Sequence, residues 1–251
     1  MPAAPLSPAP AATPARPGWL QPFRQPIGGI AIGYWILFFL FADTMLALPQ
    51  IDLTVARLFY TEGVGFSAQG TLWEQVLYRS VAVLVVAGNL ALIAAWAANR
   101  WAGRRLLGLT GRKLLLLHCV LALVPGLLVN QVFKQHWGRA RPVQVSAFGG
   151  ARPFTPAFVP AKGNGGSFSS GHVAAAAYLI AVAHLLAGPR STWILLATVY
   201  TALVGLARMA AGGHFLSDVL ASVFMVLFGY LLLRHLFFPD AEPQAGPRPT
   251  R

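Results

Sequence analysis

The chain has 251 residues, 56% of them hydrophobic and only 10% charged, with a mean hydropathy of +0.61; this excludes an ordinary soluble domain and reads as a polytopic membrane protein. Its formal charge of +12, from 19 Lys+Arg against 7 Asp+Glu, lies mostly at the ends of apolar runs, without the basic stripe on a soluble fold that a nucleic-acid partner requires. The one cysteine, Cys119, sits inside an apolar run, which excludes a disulfide framework and a thiol metal cluster.

Residues 1–26 are rich in Pro and Ala and cannot bury a core, so they are expected to form a disordered cytoplasmic tail. The first apolar run, about Ile27 to Leu48, is too long for a signal-peptide core and lacks an A-x-A cleavage site. It reads as an uncleaved first span, with Asp43 solvated at its far end. From Pro49 to Glu74 the chain is mixed. Ile51 to Tyr60 has apolar residues at helical spacing with Asp52 and Arg57 between them, the pattern of a short helix lying in the interface.

A second span runs from about Leu77 to Ala98, where Asn89 is expected to hydrogen-bond between helices. The loop after it carries Arg100, Arg104, Arg105, Arg112 and Lys113. This densest basic loop of the chain is cytoplasmic by the positive-inside rule. The third span, about Leu114 to Val132, contains Pro125 and Gly126, which can kink a membrane helix without breaking it. It delivers the chain outside at Lys134. A long loop, Gln135 to Ser170, follows, and a loop of this length is usually functional.

The fourth span, about His172 to Ala187, returns to a Gly188-Pro189-Arg190 turn; the fifth runs from about Trp193 to Ala207 and the sixth from about Phe215 to Leu233. His118 and His184, inside spans, read as structural. The polar, proline-rich residues 237–251 read as a second disordered tail. The expectation is an all-α bundle of six transmembrane helices over residues 27–236, with both termini cytoplasmic.

That topology brings three polar clusters to the outer ends of spans: Lys134 with Arg139 and Arg141, Ser167 to His172, and Arg208 to Asp218. Lys134, Arg141 and Arg208 supply three positive charges suited to an oxyanion of phosphate size. Ser169, Ser170 and Gly171 lead into a helix, so their amides and hydroxyls suit the same anion. If the run from His214 is helical, Asp218 lies one turn on and can accept from His214 Nδ1–H, leaving Nε2 free. His214 is then the natural nucleophile, and His172 suits the proton donor to the leaving oxygen. Arg139 and His136 divide evenly between substrate contact and interfacial solvation.

These residues match a family. Lys134-Gln135-His136-Trp137-Gly138-Arg139-Ala140-Arg141-Pro142 resembles a K-x6-RP motif, Ser169-Ser170-Gly171-His172 resembles PSGH, and Ala207-Arg208 followed by His214 and Asp218 resembles SR-x5-H-x3-D. The chain is thus similar to the type 2 phosphatidic acid phosphatase (PAP2) superfamily. The resemblance implies a helical bundle, a phosphohistidine intermediate, and no required metal or other cofactor. It makes His214 the nucleophile, Asp218 its orienter and His172 the acid, with Lys134, Arg141, Ser170, Gly171 and Arg208 binding the phosphoryl oxygens. Ser169 stands where the family usually has proline. Ala207 stands where it usually has serine, which removes one hydroxyl donor.

A site at the outer membrane–water boundary suits a phosphorylated membrane lipid as substrate, with no obligatory protein partner inferred. The expected location is the bacterial inner membrane, with the site facing the periplasm. Trp137-Gly138-Arg139, Phe148-Gly149-Gly150 and Phe154-Thr155-Pro156 resemble enzymes that dephosphorylate lipid A. Phosphatidylglycerophosphate and undecaprenyl pyrophosphate phosphatases, a lipid phosphotransferase, and a non-catalytic lipid-binding or transport protein remain as alternatives.

Overall fold

The computed structural model describes residues 26–161, 163 and 165–239. The expected tails fall, within 1–25 and 240–251, outside the described residues. The fold is mostly helical. Helices of eight residues or more are α1 (Ile32–Ala47), α2 (Gln50–Arg57), α3 (Leu72–Trp101), α4 (Gly111–His136), α5 (Gly171–Ala187), α6 (Thr192–Ala210) and α7 (Leu216–Phe237). Two antiparallel hairpins of two-residue strands complete it: β1 (Pro26–Ile27) with β2 (Ile30–Ala31), and β3 (Tyr60–Thr61) with β4 (Gly65–Phe66).

Of the six expected spans, α3, α4, α6 and α7 are long and apolar enough to cross a bilayer. The other two are shorter: α1 has 16 residues and α5 has 17, and α1 turns through 83° into α2. Leu37 and Leu40 on α1, Val83, Val86 and Leu90 on α3, and Leu195 and Leu196 on α6 are exposed, an outward apolar face that lipid, and not water, can cover. The α1 helix is fastened to α7 by rings, with Phe38 against Phe224 at 5.6 Å and Trp35 against Phe228 at 4.8 Å between centroids.

The short α5 occupies the middle of the bundle and packs against α3, α4, α6 and α7. Val173, Ala174, Ala176, Ala177, Tyr178 and Ala181 are fully buried, and the alanines let neighbouring backbones come close. Its about 26 Å length, at 1.5 Å per residue, is thus surrounded by protein. Tyr178 donates to Asn89 Oδ1 at 2.9 Å, the expected bond between helices. His184 Nδ1 meets the Tyr230 hydroxyl at 2.7 Å, and His118 Nδ1 donates to the Leu114 carbonyl at 2.9 Å; both histidines are structural.

Along α4 the winding is α-helical to Leu121 and widens to π from Ala122 to Phe133. Pro125 has no N–H and crowds the preceding turn, so the helix loosens where the sequence predicts a kink. Asn130 Nδ2 satisfies the Pro125 carbonyl at 2.7 Å.

The Gln135–Ser170 loop is knitted together over one end of the bundle. Trp137 Nε1 donates to the Ala157 carbonyl at 2.7 Å, Arg139 Nε to the Thr155 carbonyl at 2.8 Å, and Ser167 N to the Arg139 carbonyl at 3.0 Å. Arg139 thus lies inside the loop it belongs to.

Candidate active site

Three sequence-distant segments meet at one end of the bundle. Val143 N, just after Arg141, donates to the Gly212 carbonyl at 3.1 Å. Ser170 N donates to Ser222 Oγ at 2.8 Å, and Ser222 Oγ in turn to the Asp218 carbonyl at 2.7 Å. The stem of Lys134 runs beside Gly166, one residue before Ser167. The charges of Arg208, Lys134 and Arg141 act on both His172 and His214, so both imidazoles face one cationic neighbourhood.

His214 is buried in the turn between α6 and α7. Its Nδ1 donates to the Ser167 carbonyl at 2.7 Å; a carbonyl only accepts, so the proton sits on Nδ1 and Nε2 keeps its lone pair. The expected direct bond from Nδ1 to Asp218 is not made: Asp218 Oδ2 lies 3.9 Å away. That oxygen instead accepts from Ser167 Oγ at 2.6 Å and from Phe215 N at 2.9 Å, at the start of its own helix. Asp218 therefore fixes Ser167, and the Ser167 carbonyl fixes His214.

Behind this pair lies a buried ionic network. Arg139 is fully buried, with Nη1 on Asp218 Oδ1 at 2.5 Å and Nη2 on Asp52 Oδ2 at 2.7 Å. Its guanidinium lies 4.5 Å from the centre of the Phe215 ring. Asp52 also accepts from Ser217 N at 2.9 Å and Ser217 Oγ at 2.5 Å. Burial disfavours the Arg139 charge, but Asp218 and Asp52 outweigh it and hold the proton more firmly than usual. Neither sequence reading of Arg139 survives: it contacts neither substrate space nor interfacial water. Asp52, expected only as one of the charged residues between the apolar positions of an interfacial helix, is 1% exposed.

Ser170 is fully buried, and its Oγ has no hydrogen-bond partner among the described residues; Arg208 Nε is likewise buried and unpartnered. Two orphaned donors where two imidazoles and three cations converge are chemically suited to an oxyanion. The expected contribution of the Ser170 amide is withdrawn, since Ser222 already takes it. Gly171 opens α5, where an added Cβ would lie 2.5 Å from Asn130 Oδ1; at Gly213 it would lie 2.3 Å from Arg208 Nη2. Gly171 thus makes room for Asn130 of α4, and Gly213 for Arg208 of the site. Among the described residues, no group of three His, Cys, Asp or Glu side chains is placed to hold a metal ion.

Two contributors lie on α3. Glu74, in its first turn, forms an ion pair with Arg208 Nη1. One turn on, the Tyr78 ring stacks on His172 with centroids 3.9 Å apart and lies 4.9 Å from the Arg208 guanidinium. The sequence reading placed Glu74 in the mixed segment before the span, because the apolar pattern begins only at Leu77.

Burial, and then the charges of Arg208 and Arg141, hold the His214 pKa well below its ordinary value near 6.5, against the Ser167 hydrogen bond that favours the cation. An unfolded chain therefore binds a proton here between pH 6.5 and the depressed folded value that the folded chain does not. The stability from this group is complete above about pH 6.5 and is lost as pH falls through the folded pKa. We expect His214→Gln to flatten the fall in Tm between pH 7 and 5, measured in detergent; an unchanged slope would contradict this.

The PAP2 superfamily profile matches residues 114–240, which hold all three motifs. A lipid A 4'-phosphatase of Francisella tularensis subsp. novicida is 30% identical over 212 residues, covering 78% of this chain and 86% of that protein. Lipid A 4'-phosphatases of Rhizobium leguminosarum and Rhizobium etli are each 31% identical, over 79% and 80% of this chain and 91% and 86% of their own lengths. No solved structure gives a significant match. With the motif residues gathered at one bundle end and that profile covering them, the chain belongs to the PAP2 superfamily and is a phosphatase.

Proposed function

We propose that the chain hydrolyses a phosphate monoester of a membrane lipid, lipid A at its 4'-phosphate being the favoured substrate, through a phosphohistidine. The observation that carries this is the pair of buried, unpartnered donors, Ser170 Oγ and Arg208 Nε, beside a histidine whose Nε2 is left free by the Ser167 carbonyl. His214 Nε2 attacks phosphorus, the bond from phosphorus to the lipid oxygen breaks, and His172 protonates that oxygen. His172 then takes a proton from water, which attacks the phosphohistidine and releases inorganic phosphate. Lys134, Arg141 and Arg208 stabilise the equatorial oxygens. The barrier to be removed exceeds about 15 kcal/mol. Charge stabilisation and positioning supply most of it, and proton transfer by His172 adds roughly 10²–10⁴-fold.

The proposed topology keeps six crossings, with α1 and α5 as the short ones, and both termini in the cytoplasm. Its support is the basic loop Arg100 to Lys113 at the start of α4, with Lys134 near the opposite end of the same helix. Positive residues stay inside, so the phosphate site faces the periplasm of a bacterial inner membrane. A lipid then presents its phosphate in the headgroup layer with its tails still in the bilayer.

The test is phosphate release from a panel of pure lipids by the protein in detergent, with EDTA present. Release from lipid A, with loss of its 4'-phosphate and undiminished by EDTA, is the expected result. Preference for phosphatidylglycerophosphate or undecaprenyl pyrophosphate would move the substrate, loss restored by a divalent ion would refute a metal-free site, and binding without release would refute the enzyme.

A further inference from the structure

Arg208 is held from two sides before any phosphate arrives. Glu74 takes Nη1, Gly213 leaves space against Nη2, and Nε stays buried and unpartnered. A guanidinium offers two donors along each edge. With Nη1 occupied, the edge formed by Nε and Nη2 remains for a phosphoryl group. Glu74 is only 7% exposed, and its neighbour one turn on, Tyr78, supports both Arg208 and His172. Both residues lie outside the 114–240 stretch that the superfamily profile covers.

The pairing also changes the charge of the pocket. Lys134, Arg141 and Arg208 bring three positive charges and Glu74 one negative, a net of +2 for these four groups, apart from the buried Arg139, Asp52 and Asp218 network behind His214. A phosphate monoester above its second pKa carries about −2, whereas a pyrophosphoryl group carries roughly one unit more. A pocket of +3 would hold the trianion and the phosphate product more tightly than turnover on a monoester requires.

Resting on the phosphatase reading of the same site, we propose that Glu74 is a specificity-determining positioning residue: it aims the free edge of Arg208 and trims the pocket charge to that of a monoester dianion. It thereby disfavours pyrophosphoryl lipids and lets inorganic phosphate leave. Glu74→Gln keeps a hydrogen-bond acceptor for Arg208 while removing the charge, and Glu74→Asp keeps the charge on a shorter stem.

The experiment has two readouts on the full chain in detergent. The first is the ratio of kcat/KM for a lipid pyrophosphate over a lipid phosphate monoester of matched chain length. The second is affinity for inorganic phosphate by calorimetry, which needs no turnover. For Glu74→Gln we expect the ratio to rise about tenfold and phosphate to bind about tenfold more tightly, the scale of removing one charge close to the ligand. Glu74→Asp keeps the wild-type ratio even where its kcat falls.

Structural damage weakens phosphate binding and lowers both substrates alike, so tighter binding distinguishes the proposal from a merely structural ion pair. An unchanged ratio with unchanged or weaker phosphate binding in Glu74→Gln overturns it. If the wild type releases phosphate from no lipid, the phosphatase reading fails by itself, and the calorimetric arm alone decides whether Glu74 tunes anion affinity. Should Glu74→Gln not fold, a Glu74→Asp protein that has lost the monoester preference overturns the proposal, and one that retains it supports it.

Discussion

Replacing His214 by alanine is expected to abolish phosphate release, lowering turnover by at least about 10⁴-fold, while the protein still inserts and elutes as a folded species. The imidazole is the group whose Nε2 the structure leaves free, because Nδ1 is committed to the Ser167 carbonyl at 2.7 Å. Among the other side chains of the cluster, Lys134, Arg141 and Arg208 are assigned as cations, His172 is stacked on Tyr78, and the unpartnered Ser170 Oγ is assigned as a donor to the anion. Stability should suffer less than activity. The substitution leaves one buried carbonyl short of a donor, a cost of about 1–3 kcal/mol, and the Asp218 bonds to Ser167, Phe215 and Arg139 remain. Phosphate release in detergent, with gel filtration on the same sample, checks both halves. Residual hydrolysis above about 1% of wild type, far more than loss of a nucleophile allows, removes His214 from that role.

The apolar runs were legible because a bilayer demands length and hydropathy, and both can be read directly from the chain. Helices α3, α4, α6 and α7 fall where the runs lie, differing by a few residues at each end. The ends are where the reading lost information. The α3 helix starts five residues before Leu77, and that extra turn and more carries Glu74 and sets Tyr78 over His172. The motif residues were legible too, since Lys134, His172, Arg208 and His214 stand at ends of apolar runs where an ionisable group needs a reason. What the spacing misassigned was the partner of His214. An i, i+4 separation allows a bond to Asp218, but a new helix begins at Leu216 and turns that carboxylate onto its own N-terminus, at Phe215 N, and onto Ser167. Asp52 and Arg139 were hidden by distance, being 87 positions apart. One clue was available: the chain has only 7 acidic residues, and Asp52, Glu74 and Asp218 are each paired with an arginine. Where carboxylates are that scarce, one set among apolar neighbours is a candidate for a buried ion pair.

Replacing Arg139 by methionine is expected to have the largest effect on folding of any single substitution at the site. The side chain is fully buried between Asp52 and Asp218, themselves 1% and 0% exposed, and methionine keeps much of its volume while removing every donor. Two carboxylates are then left facing each other without a cation, and breaking a buried pair in this way costs about 3–5 kcal/mol, a large share of the stability of an average domain. Asp52→Asn breaks the same network from the other side with a different outcome. Arg139 and Asp218 remain charge-balanced, and the amide oxygen still accepts from Ser217 N, so the loss should be nearer about 1–2 kcal/mol. Activity should follow the same order. Asp218 keeps hold of Ser167 in Asp52→Asn, leaving His214 oriented and turnover within about tenfold of wild type. In Arg139→Met, Asp218 loses its counter-charge, Ser167 loses a fixed partner, and His214 loses its aim. Thermal unfolding in detergent together with phosphate release measures both. Equal losses in the two variants would mean that packing and not charge holds the Gln135–Ser170 loop to α2 and α7, because only the charge count separates a buried carboxylate pair from a balanced one.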